Sequence, residues 1–121
     1  MLYRRELTLK QKESTISDYS TNYLAEAAGQ IRREVPDVLP TANTDILFLM
    51  YAVLMFAKGE HVTREDVHNA WTAWMVARGK DRPSMVPFDR LSPETQAEDQ
   101  PFVDAIVTVA RRYARGERPT A

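Results

Sequence analysis

Residues 46–57 read Ile46-Leu47-Phe48-Leu49-Met50-Tyr51-Ala52-Val53-Leu54-Met55-Phe56-Ala57, twelve positions without a charge or a turn residue. A bilayer-spanning helix needs about 20 apolar residues, because the hydrocarbon layer is about 30 Å thick and a helix climbs about 1.5 Å per residue. Twelve is too short to span, and too uniformly apolar for an ordinary surface helix. The stretch predicts a central helix buried on most sides, with a homodimer seam along Ile46–Ala57 as the second reading. Asn43 or Thr44 is placed to cap its start. Gly59 closes it after Lys58, whose cation meets the negative end of the helix dipole.

Upstream, the apolar and aromatic positions 16, 19, 23, 24, 27, 31 and 35 step by three and four, one stripe of an amphipathic helix. Ser14 or Ser17 is its candidate cap, and Pro36 stops it. Residues 1–13 carry mixed charge and read as an N-terminal arm. Downstream, Thr63-Arg64-Glu65-Asp66 has the form of a capping box, and Val67, Ala70, Trp71, Trp74 and Met75 follow helical spacing until Gly79. Two prolines keep Lys80–Leu91 (KDRPSMVPFDRL) from being a regular helix, while Met85, Val86 and Phe88 pin it to the core. Ser92-Pro93-Glu94 is a helix start. Pro101 interrupts that element, and Asp99 is placed to cap the next. The last amphipathic helix carries Phe102, Val103, Ile106, Val107, Val109, Ala110 and Tyr113 and ends at Gly116. The expected fold is all-α: a single small domain over residues 14–116, of about four main helices with a proline-containing loop packed on the core, and a frayed tail at 117–121.

The whole chain is 121 residues, enough for one core, with 44% hydrophobic and 27% charged residues and no cysteine. Disulfides, thiolate metal sites and cysteine nucleophiles are therefore excluded. The N-terminus carries charges where a signal peptide needs an apolar run, so a soluble cytoplasmic protein, with no membrane partner, is expected. The formal charge of −1 conceals an uneven distribution: residues 1–13 carry +2, residues 14–104 carry −6 and residues 105–121 carry +3. If the two basic ends lie together they make a basic face.

Catalytic signatures are missing. There is no Gly-x-Ser-x-Gly, no His-Glu-x-x-His and no phosphate-cradling loop, and Glu94, Glu98 and Asp99 read as solvated or capping acids. Glu65 and His68 share a helix face but lack a third ligand, so no metal or cofactor is expected. Trp71 and Trp74 suit plain core packing; the functional alternative is a stacking platform with Arg78 or Arg82 supplying phosphate contacts. A helix-turn-helix reading offers Arg64, His68, Asn69 and Thr72 to a DNA groove, with Arg111, Arg112, Arg115 and Arg118 as a basic patch or simply a solvated helix end. Glu65 and Asp66 at the start of that helix would oppose phosphates.

His68-Asn69-Ala70-Trp71, then Arg82-Pro83-Ser84-Met85-Val86-Pro87-Phe88-Asp89-Arg90-Leu91-Ser92, then Asp99, resemble the RyR domain, the repeat of ryanodine receptors and of stand-alone bacterial and phage proteins. The matching positions are Trp71, Pro83, Val86, Pro87, Phe88, Leu91 and Asp99, within residues 67–107. The chain as a whole also resembles small proteins of actinobacteria and their phages. The resemblance implies a small helical module that binds rather than catalyses. With the residue patterns it sets the expectation of a non-enzymatic accessory protein. Such a protein would meet a protein partner or a small nucleotide-like ligand through Trp71, Trp74, Arg78, Arg82, Pro87 and Phe88. Nucleic-acid binding is the alternative.

Overall fold

Local sequence signals set the helix ends. The computed structural model describes residues 22–36 and 44–117, and among these every regular element is helical. The helices are α1 (Tyr23–Glu34), α2 (Asp45–Lys58), α3 (Arg64–Ala77), the single-turn α4 (Pro93–Ala97) and α5 (Gln100–Ala114), with 3-10 turns at Gly59–His61 and Phe88–Arg90. The arm at 1–13, Ser14, Ser17, Asn43 and residues 118–121 lie outside the described residues.

At α3 the capping box is complete. Thr63 Oγ1 accepts from the Asp66 amide at 3.1 Å, and Asp66 Oδ2 accepts from the Thr63 amide at 2.9 Å. Lys58 donates to the same carboxylate oxygen at 2.8 Å, tying the end of α2 to the start of α3. The far end of α3 closes at Gly79, where φ is +72°. Gly79 donates to the Val76 carbonyl and Lys80 to the Met75 carbonyl, each at 2.9 Å, which completes a Schellman motif. Ser92 caps α4 by accepting from the Thr95 amide at 3.2 Å. Two expected caps differ. Asn22, not a serine upstream, caps α1 by accepting from the Ala25 amide at 2.8 Å. Thr44 precedes α2 without capping it, because its hydroxyl instead accepts from Arg32 at 2.9 Å.

The core lies where α1, α2, α3 and α5 converge. Ala27, Ile31, Tyr51, Ala52, Val67, Ala105, Ile106 and Val109 are each 2% exposed or less. Alanines on α1, α2 and α5 let these helices approach closely, and branched side chains fill what remains. Helix α2 is less enclosed than its composition predicts. It buries Leu47, Phe48, Tyr51, Ala52 and Met55, but Ile46, Val53 and Phe56 stay 49%, 52% and 46% exposed. Phe56 packs edge-to-face on Tyr23 of α1 and Tyr113 of α5 with centroids 5.5 and 5.7 Å apart, while Val53 borders an open depression of 370 Å³ shared with α3.

The basic end of α5 is neutralised within the fold. Arg112 pairs with Glu34 of α1 at 2.6 Å, Arg111 with Glu60 at 3.5 Å and Arg115 with Glu117 at 2.6 Å. The arginines of 105–121 that lie among the described residues are therefore paired with acids, while residues 1–13, the other basic end, lie outside the described residues. No helix among the described residues is long and apolar enough to cross a membrane.

Candidate functional site

A cleft of 640 Å³ opens between α2, α3 and the chain that returns from α3 to α5. Residues 80–99 begin at the C-terminal end of α3 and come back to its N-terminal end, where Arg64 Nε donates to Gln100 Oε1 at 2.7 Å. Prolines 83 and 87 prevent this return from coiling into a helix. It is an irregular wall that packs Met85 against the core and is tied down by a few hydrogen bonds. His68 Nε2 donates to the Val86 carbonyl at 2.6 Å, and Gln96 Nε2 donates to the carbonyls of Phe88 and Leu91 at 3.0 and 3.3 Å. The Phe88 ring packs on the His68 ring with centroids 6.1 Å apart.

Helix α3 contributes His68, Trp71, Trp74 and Arg78, spaced by three or four residues and so on one face. Helix α2 contributes Leu47, Phe48 and Tyr51, and the start of α5 contributes Pro101 and Phe102. The rings interlock: Tyr51 lies 5.4 Å from Phe48 edge-to-face and 5.5 Å from Phe102, while Trp71 stacks on His68 at 5.8 Å and 26°. The chain's own guanidinium groups sit on two of the lining rings, Arg78 over Trp74 at 4.4 Å and Arg32 over Phe48 at 5.1 Å.

The lining also holds Thr44, Ser84 and Arg78, and its acidic groups sit together at one end. Thr95, Glu98 and Asp99 line the cleft near His68. Asp99 stands at the N-cap position of α5 with helical φ and ψ and makes no capping bond, so it does not serve as the cap its position suggests. No described residue donates a hydrogen bond to its carboxylate. Burial pushes its carboxyl up to about 6, against the pull of His68 and Arg64 and with a further push from Glu98. Tyr51 is held well above the ordinary phenol range, first by burial and then by the Asp99 charge. Among the described residues no group of three potential metal ligands exists.

The residues singled out from the sequence divide between places. Trp71, Trp74 and Arg78 line the cleft, with Trp74 itself 8% exposed. Arg82, Pro87 and Phe88 belong to the returning wall but not to the lining. Arg82 is exposed, with its guanidinium on the Asp81 carbonyl at 3.0 Å, Pro87 is exposed, and Phe88 anchors the loop. The residues offered to a DNA groove do not form one surface. His68 is 4% exposed and committed to Val86, Arg64 is bonded to Gln100, and Asn69 lies on the depression between α2 and α3. Arg111, Arg112 and Arg115 are paired on α5. Phe48, Tyr51, Asp99 and Phe102 were not legible as site residues, because the two stretches that carry them, α2 and the start of α5, lie far in the chain from the Trp71 face of α3. Tyr51, a hydroxyl inside an otherwise apolar run, was the one local hint.

Residues 22–111 match the family described as Domain of unknown function (DUF7701). The chain belongs to this family. No curated protein and no solved structure matches it. The DUF7701 match runs from the α1 cap at Asn22 to Arg111 in α5, and so contains every residue of the cleft. This overturns the RyR resemblance, and the likeness to actinobacterial and phage proteins goes with it. The residues that suggested it do structural work in the DUF7701 fold: Val86 and Phe88 hold the returning wall to His68, and Trp71 stacks on the same imidazole.

Proposed function

We propose that this DUF7701 domain is a non-catalytic binding module whose cleft takes a small ligand with a planar or ring-bearing body, or the equivalent group displayed by a protein partner. The observation that carries this is the lining itself. Apolar and aromatic walls interrupted by a small number of polar groups, with the two carboxylates together at one end, have the form of a small-molecule site. In support of binding rather than catalysis, the lining histidine has its Nε2 committed to the Val86 carbonyl, away from any reacting group. The cysteine-free composition suits a reducing cytoplasm as the setting.

A thermal-shift panel spanning nucleotides, aromatic amines, aromatic acids and neutral aromatics tests the proposal. At least one class is expected to raise the melting temperature of the intact chain, and Trp71→Ala is expected to remove that response while the variant remains folded by circular dichroism. Absence of a shift across all classes would refute a ligand cleft.

A further inference from the structure

Resting on that reading of the cleft, we propose that its ligand is an organic cation, an ammonium or guanidinium group placed against Asp99 and Glu98, with its carbon framework on the Trp71 and Phe102 rings. Three observations converge. Two carboxylates line the same end of a cleft walled by aromatic rings. The more buried of them, Asp99, receives no hydrogen bond from any described residue, so a donor there would meet an acceptor that the fold leaves open. The ring faces of this cleft already attract cations, since Arg78 and Arg32 of the chain itself lie over Trp74 and Phe48. A cation between a carboxylate and aromatic faces gains from both the charge and the ring quadrupole, and desolvation strengthens each.

The competing ligand chemistries fit less well. A metal ion lacks a third ligand among the described residues. An anion finds one permanently charged cation in the lining, Arg78. It sits ten residues beyond His68 along α3, about 15 Å at 1.5 Å per residue, and so at the far end from the carboxylates. The groups facing Asp99 are His68 and Arg64 on α3, Glu98 beside it in the chain and Tyr51 on α2. Arg64 is held by Gln100, and the His68 imidazole is anchored to Val86, which leaves the carboxylate face toward the cleft unbridged.

The test is isothermal titration of the full chain with five probes: phenethylamine, phenethyl alcohol, 3-phenylpropionate, adenosine monophosphate and a capped tripeptide carrying one arginine between two glycines. The amine or the arginine peptide is expected to bind about tenfold more tightly than the alcohol and the acid. Whichever of the two binds more tightly identifies the source as a free amine or a partner's side chain. Asp99→Asn, close to isosteric, is expected to bring the cation down to the affinity of the alcohol, and Glu98→Gln, at an exposed position, to weaken it about threefold. Cation affinity is also expected to rise between pH 5 and pH 7 in the parent and to stay flat in Asp99→Asn. Equal or tighter binding of the alcohol, of the acid or of adenosine monophosphate overturns the cation assignment and leaves the ligand cleft standing. No binding by any probe removes both.

Discussion

The seam between α1, α2 and α5 and the cleft between α2, α3 and the returning chain are built on opposite principles. In the seam the side chains are small or branched: Ala27, Ala52 and Ala105 admit the neighbouring helix, and Ile31, Ile106 and Val109 fill the gaps completely. In the cleft they are large rings, Phe48, Trp71 and Phe102, and yet the space is not filled. Ring size does not close it, because the third wall is assembled from short pieces, Ser84 of the proline-bearing return, Thr95 of the single-turn α4, Glu98 and Asp99, and the start of α5, rather than from one long helix. Complete burial comes from matched surfaces on regular elements, and an open site survives where one element is irregular.

That contrast makes graded predictions. The largest effect belongs to the seam. Ile106→Ala, at a position with no exposure, is expected to cost about 3 kcal/mol in urea unfolding, because a lost side chain there leaves a cavity that rigid helices cannot collapse around. Trp71→Ala, a larger truncation on the half-buried cleft wall, is expected to cost about half as much, since its space already communicates with solvent. A Trp71→Ala cost equal to or above that of Ile106→Ala would break the distinction between the two regions.

A smaller effect, opposite in sign, belongs to Asp99. Its carboxyl is raised from 3.8 to about 6, so the folded state holds the proton more tightly than the unfolded chain does. Stability from this group is therefore greatest below about pH 4, falls as pH rises towards 6 and is lost above it. Asp99→Asn is expected to be more stable than the parent at pH 7.5, by about 1 kcal/mol after discounting for solvent screening, and indistinguishable from it at pH 4. A variant less stable than the parent at pH 7.5 would mean that the carboxylate supports the fold rather than waiting for a ligand.

The smallest effect lies at the rim of the seam. Glu34→Gln breaks the 2.6 Å pair with Arg112, whose side chains are 31% and 33% exposed, and is expected to cost only about 0.5 kcal/mol in the same unfolding assay, less in high salt. A loss several times larger would show that this pair, and not apolar packing alone, holds α1 to α5.

Much of the fold was legible because its signals are local. The capping box at Thr63 and Asp66, the glycine stops at 59, 79 and 116, and the Ser92-Pro93 start each need only neighbours within a few residues, and each forms. The cap of α1 at Asn22 was not legible from spacing, because periodicity does not mark where a helix begins, and the part of the stripe at 16 and 19 lies outside the described residues. Half the cleft was visible as the Trp71, Trp74 and Arg78 face of α3. The other half was not, since Phe48, Asp99 and Phe102 meet that face only through contacts between segments far apart in the chain.

By itself the sequence determined where α2, α3 and α5 lie and that the segment with prolines 83 and 87 would not be helical, because backbone hydrogen bonding and side-chain sterics act over a turn or less. Only the tertiary structure decided which face of α2 is covered, that the arginines of α5 are neutralised by Glu34 and Glu60, and that Asp99 faces a cleft instead of capping a helix. Those outcomes depend on desolvation and on charges brought together across the whole fold, and the identity of a residue carries neither until its neighbours are in place.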